Sequence, residues 1–248
     1  MPKGFQPSAI IALALSAAFS CCLAAGAYEV FPYQVFRAAK NLVDGEDGKR
    51  DPLVYIDNPL AVEVGRSDPQ WGTSADVVMI GDSITASARV EEMFPASNVV
   101  NRGVGGDTVQ GVLDRLSGIL ELRPKQAFLL IGINDIIFDN PVPKVVSRYE
   151  QVLTKLEQEG VQPVVQSVIV CGKAPICTPE RREAARLLNR ELRDLAASRK
   201  IQFVDLNARL SSEDGVQGKY TWDGIHLNAE GNRVWRDTIQ PMMMRSGD

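Results

Sequence analysis

Apolar and polar positions divide the chain into two unlike parts. From about Ala75 onward, short apolar runs alternate with longer stretches in which apolar residues recur every three or four positions. The runs are Val77–Ile80, Asn98–Asn101 around its two valines, Ala127–Ile131, Val164–Val170 and Ile201–Val204. Continuous runs of this kind suit strands buried on both faces, as in a parallel sheet. The amphipathic stretches are Val109–Leu120, Val145–Gln158, Pro179–Ser198 and Ala229–Ile239. In the third, Ala185, Leu188, Leu192 and Leu195 form the apolar stripe, with Arg181, Arg182, Glu183, Arg186, Arg190 and Glu191 on polar faces. The alternation predicts an α/β domain over residues 75–245, an open parallel sheet with helices on both faces.

The first part reads differently. Lys3 precedes a stretch from Pro7 to Tyr28 without any charge. Residues 1–27 are read as a signal peptide or a membrane anchor. Small residues at Ala25-Gly26-Ala27 suit cleavage before Tyr28. An uncleaved anchor over residues 8–27 is the alternative, since about 20 apolar residues can span a bilayer. Cys21 and Cys22 raise lipoprotein processing, although Ala18-Phe19-Ser20 makes a poor lipobox. All three readings place the body of the protein outside the cytoplasm, periplasmic or secreted, with membrane association through this segment as one form. Residues 28–74 follow as a helix with Phe31, Val35, Ala39 and Leu42 at helical spacing, a polar linker at Asp44–Asp51, and an irregular lead-in containing Trp71.

Composition narrows the function classes. A chain of 248 residues with 45% hydrophobic and 23% charged content suits a globular protein with its own core and excludes a disordered chain or a multi-span membrane protein. The net charge of -4 argues against a dedicated nucleic-acid binder. With one histidine, His226, and four cysteines, zinc sites built on several such ligands are nearly excluded. Cys171 and Cys177 bracket a short loop at the end of the fourth predicted strand. A bridge there, worth about 2 kcal/mol by loop-closure entropy, and two free thiols both stay open, because spacing does not show bond geometry.

Polar and glycine clusters follow three of the predicted strands, where open α/β sheets bind ligands. Singly each has an ordinary explanation. Gly81-Asp82-Ser83 fits a turn that caps the next helix, Gly105-Gly106-Asp107-Thr108 a tight turn and cap, and Asn134-Asp135 turn chemistry. Together, the order GDSIT, NRGVGGDT, GIND and DGIHLN resembles the four blocks of the SGNH-hydrolase superfamily, the GDSL-type esterases and lipases, over nearly the whole predicted domain. That resemblance implies a three-layer α/β/α architecture with a central, mostly parallel five-stranded sheet of flavodoxin-like type. It implies Ser83, Asp223 and His226 as catalytic residues, an oxyanion hole from Gly106 and Asn134 with the Ser83 amide, and neither metal nor organic cofactor.

The chemistry can also be read directly. A serine hydroxyl needs a base within hydrogen-bond reach and a third group to orient that base. His226 is the only histidine available, and Asp223 lies three residues before it. Backbone N–H groups at a glycine turn and an asparagine amide suit a developing oxyanion. Spacing alone leaves Gly103, Gly105 and Gly106 as rivals; the family block selects Gly106. Asp82 and Asp135 read as supporting acceptors or caps, and Tyr220 and Trp222 as pocket wall or core. The expected substrate is a short-chain acyl ester, acetyl above all, on a small molecule or a carbohydrate. Lipase or lysophospholipase action and acyl transfer are the alternatives, ahead of a non-catalytic binding module.

Overall fold

The computed structural model describes residues 74–245. The expected signal or anchor segment, the helix, the linker and most of the lead-in lie outside the described residues. Five strands form the main sheet: β1 (Val77–Gly81), β2 (Val99–Gly103), β3 (Gln126–Leu130), β4 (Gln162–Gln166) and β5 (Gln202–Val204). Their order is β2-β1-β3-β4-β5, and every pairing is parallel. The central strands β1 and β3 are buried along their whole length, which is why their sequences lack period-two alternation. The edge strands β2 and β5 are only partly buried.

Short helices α1 (Ser83–Ala86) and α2 (Val90–Met93) connect β1 to β2. The longer connections are α3 (Val109–Leu120), α4 (Ile133–Ile137), α5 (Val142–Gln158) and α6 (Pro179–Ser198). Helix α5 packs against both α3 and α6, so these three form one layer. From β1 the chain moves one way to β2 and then back across to β3; right-handed crossovers therefore put the α1–α2 connection on the opposite face from α3. After β5 come α7 (Asn207–Leu210), a small antiparallel hairpin of β6 (Ser211–Ser212) and β7 (Gly215–Val216), and α8 (Ala229–Ile239). Trp235 of α8 is fully buried and donates its indole N–H to Gln166 Oε1 of β4 at 2.6 Å, docking the last helix on the sheet.

The predicted architecture holds, with local differences that have physical causes. The fourth predicted strand, Val164–Val170, ends as a paired strand at Gln166. Beyond it, side-chain amides replace a strand partner. Val168 exchanges hydrogen bonds with the Asn189 amide at 2.7 and 2.8 Å, and Val170 N–H donates to Asn207 Oδ1 at 2.9 Å. The predicted helix start at Val145 moves to Val142, because Pro143 is tolerated in a first helical turn.

Candidate active site

Sheet order reverses between β1 and β3, the position at which doubly wound sheets open a crevice at their carboxyl ends. Three of the polar clusters lie there: Ser83 follows β1, Gly106 follows β2 and Asn134 follows β3. Val104 N–H donates to Gly81 O at 3.0 Å and ties the ends of β1 and β2 together, while Asn101 Oδ1 accepts from Gly103 N–H at 2.8 Å within β2. Ser83 is the first residue of α1, capped by Asp82, whose Oδ1 accepts from Ile84 N–H at 2.9 Å.

The fourth cluster arrives from the far end of the chain. His226 Nε2 lies 2.8 Å from Ser83 Oγ, and His226 Nδ1 lies 2.6 Å from Asp223 Oδ2. With the ring proton on Nδ1, the imidazole donates to the carboxylate and presents a lone pair to the serine hydroxyl. Asp223 Oδ1 accepts from the backbone N–H groups of Ile225 and His226 at 2.9 and 2.8 Å. Partial burial pushes the Asp223 pKa up, but the bonds from the His226 ring and these two amides outweigh it and hold the carboxyl below its usual range. Thr221, which the sequence reading passed over, braces the same loop. Its Oγ1 accepts from Gly224 N–H at 2.9 Å and donates to His226 O at 2.6 Å. A hydroxyl, a base and an orienting carboxylate in one hydrogen-bonded line can perform nucleophilic acyl chemistry.

Around the proposed oxyanion donors the backbone is distinctive. Gly106 has φ +74°, a left-handed conformation that its rivals Gly103 and Gly105 do not adopt and that L side chains disfavour. Asn134 donates one Nδ2–H to Asp107 O at 2.8 Å, which orients its amide against the glycine turn. Beneath this turn sits a network the sequence reading missed. Buried Arg115 donates from Nε to Asp107 Oδ2 at 2.8 Å and from Nη2 to Gly81 O at 3.2 Å. The signal was present: Arg115 occupies the apolar stripe of α3 between Val112 and Ile119. Asp135 Oδ2 accepts from Val109 N–H at 3.0 Å, so it caps α3 and is no rival to Asp223.

Three buried carboxyls therefore lie under the site. Burial pushes Asp82 up to about 7, opposed by the Ile84 N–H and reinforced by Asp107 and Asp135. Burial likewise pushes Asp135 up to about 6. Burial raises Asp107 as well, against the opposing pull of the Arg115 guanidinium. Among the described residues no group of three or more His, Cys, Asp or Glu side chains is arranged to hold a metal.

Trp222 stacks on His226, ring centroids 5.3 Å apart and planes 14° from parallel, and remains 64% exposed. Tyr220 is partly buried against the core instead. A groove of about 570 Å³ opens on the Trp222 side of the triad, between the Cys171–Cys177 loop and the β6–β7 hairpin. Ser83 and His226 are not among its lining residues. The two cysteines are bridged, with Cα atoms 5.9 Å apart.

Residues 79–234 match the model of the GDSL-like lipase/acylhydrolase family. Among curated proteins the chain is 25% identical over 170 residues to an N-acylneuraminate cytidylyltransferase of Streptococcus agalactiae, covering 68% of this chain and 39% of that protein. It thus spans about two fifths of that relative's length. It is 29% identical over 168 residues to the human platelet-activating factor acetylhydrolase IB subunit alpha2, covering 63% of this chain and 70% of that one. Among solved structures, an acetyl xylan esterase superposes with a TM-score of 0.59 at 21% identity, covering 68% of this chain and 99% of that one, a likeness of fold. The family match takes in Ser83, Gly106, Asn134, Asp223 and His226 alike, and the chain belongs to the GDSL-like lipase/acylhydrolase family of ester hydrolases.

Proposed function

We propose that this protein is a serine esterase acting on short-chain acyl esters, acetyl esters foremost. The observation that carries this reading is the unbroken line from Ser83 Oγ through His226 to Asp223. Ser83 Oγ attacks the ester carbonyl carbon while His226 Nε2 takes the hydroxyl proton. The negative oxygen is held by the amides of Ser83 and Gly106 and by Asn134 Nδ2. Collapse breaks the bond to the alcohol, which leaves with the proton from Nε2. Water then attacks the acyl-serine, gives its proton to His226, and releases the acid as the proton returns to Ser83. Asp223, acidic enough to stay ionised, fixes the ring tautomer and stabilises the transient imidazolium.

Two of the similar proteins are named for acetyl esters, which supports a small acyl group. Surface character supports it too. The large hydrophobic residues exposed among the described residues are Leu187 and Trp222, too few for a lipid-binding face. The Cys171–Cys177 bridge supports an oxidising site of action, in keeping with export by the N-terminal segment.

Hydrolysis of p-nitrophenyl acetate by the purified protein, with Ser83→Ala alongside, tests the reading. Turnover by the wild type and its loss in a folded Ser83→Ala variant is the expected result. Equal rates in the two proteins, or silence in both, would overturn it.

A further inference from the structure

We propose that the groove beside the triad is a saccharide subsite that holds the sugar units next to the acylated one. The inference rests on the esterase reading and names the alcohol side of its substrate. It starts from Trp222. A tryptophan left 64% exposed beside the base forgoes the burial that such a side chain normally obtains. Its ring is held flat against the imidazole and also lines the groove, so it offers a fixed aromatic surface one ring away from the reacting serine. The negative face of an aromatic ring attracts weakly positive C–H groups, and a pyranose presents such groups on its faces and hydroxyls around its rim.

The rest of the lining selects the same ligand. Lys173, Ser212, Asp214 and Gln217 supply donors and acceptors, and Val216 is the only aliphatic side chain among the lining residues. An acyl chain needs a largely apolar slot, which this is not. A phosphate or other polyanion needs net positive charge, yet Lys173 is offset by Asp214 and Asp223. A neutral, hydroxyl-rich ligand meets both conditions. The volume, about 570 Å³, falls within the range of small-molecule sites, and an acetyl group alone would leave it mostly empty.

The groove is also built to keep its shape. Gly172 N–H donates to Gly224 O at 2.7 Å, joining the bridged loop to the His226 loop, and Val216 N–H donates to Val170 O at 2.7 Å, joining the hairpin to the segment that follows β4. Rigid walls spare a ligand the ordering cost of binding. Because Ser83 does not line the groove, the ester-bearing unit sits at the serine and its neighbours extend past Trp222.

The test is a length series: O-acetylated xylose and xylo-oligosaccharides of two to four units, with p-nitrophenyl acetate as reference. The expected wild-type result is a rise in kcat/KM of tenfold or more from one unit to three, carried by KM. In Gln217→Ala and in Asp214→Ala the gain shrinks to threefold or less; as a ratio within one protein, it cancels general damage to fold or triad. Unacetylated xylotetraose is expected to change tryptophan fluorescence in Ser83→Ala and to leave it unchanged in the double variant Ser83→Ala/Trp222→Phe. A flat series in a protein that turns over p-nitrophenyl acetate overturns the subsite and leaves the esterase reading standing. Silence on p-nitrophenyl acetate defeats the esterase reading, and the fluorescence titration then decides the groove alone: a saturable response upholds it, and none refutes it.

Discussion

Asp82 occupies a position where a charge is costly. Its side chain is buried beside Ser83, within the field of two more carboxyls, and its pKa rises to about 7. In the unfolded chain an aspartate titrates near ~3.9. The folded protein therefore holds the proton more tightly, and the associated stability is present below the unfolded value and lost as pH climbs through about 7. Asp82→Asn keeps a good helix cap and removes the titration. Urea unfolding near about pH 5 and about pH 8 should show the wild type losing stability with pH relative to the variant. The difference should exceed ~1.4 kcal/mol, the equivalent of one pKa unit; parallel pH dependence in both proteins would refute the argument. In the proposed mechanism Asn134 makes its contribution at the opposite extreme, in the transition state. Its truncation to Ala is expected to lower kcat about 100- to 1000-fold with little change in the unfolding midpoint, and a matched loss of stability and activity would remove it from the oxyanion site. Ser83, Asp223, His226 and Asn134 could be picked out as candidates because acyl chemistry needs few residue types and their order follows the family's blocks; the structure brings Ser83, His226 and Asp223 into one hydrogen-bonded line. The burial of Asp82 and Asp107 was not, since an aspartate in a turn is ordinarily solvated.

Elements were legible in proportion to their length. Val109–Leu120, Pro179–Ser198 and Ala229–Ile239 begin and end as the periodicity predicts, and each starts at a side-chain cap: Thr108, Thr178 and Asn228. Helices of four or five residues such as α1, α2 and α4 carry too few positions for a period to show, and their stability comes from the packing around them. The β6–β7 hairpin is likewise too short to show alternation. Helix α3 has a second task, because its Arg115 joins the last residue of β1 to the turn after β2. Arg115→Met would leave Asp107 buried without its cation and should cost about 3–5 kcal/mol. Adding Asp107→Asn should recover part of that loss. A double-mutant cycle in denaturant measures it, and strictly additive losses would mean that the pair is not coupled.

At the scale of the whole molecule, the proposed reacting pair is assembled from residues 143 positions apart, so in that mechanism every tether on the His226 loop bears on catalysis. The loop is partly self-contained through Thr221 and through Gly224, whose φ of +88° permits the turn and where an added side-chain carbon would press on Lys173 and Ala174 of the bridged loop at 3.1 Å. Its external tether is the bond from Gly172, inside the ring closed by Cys171 and Cys177. Removing the bridge with the pair Cys171→Ser and Cys177→Ser frees the ring in the unfolded chain, which by closure entropy costs about 2 kcal/mol. For a domain of this size that is a fall of roughly 4–8 °C in Tm. If the ring also positions the histidine, kcat on p-nitrophenyl acetate should drop severalfold well below the melting temperature. Reduction of the wild type should reproduce that drop, and reoxidation should reverse it. A lower Tm with kcat unchanged would assign the bridge to folding alone and leave the placing of the base to its other contacts, Thr221, Asp223 and Trp222 among them.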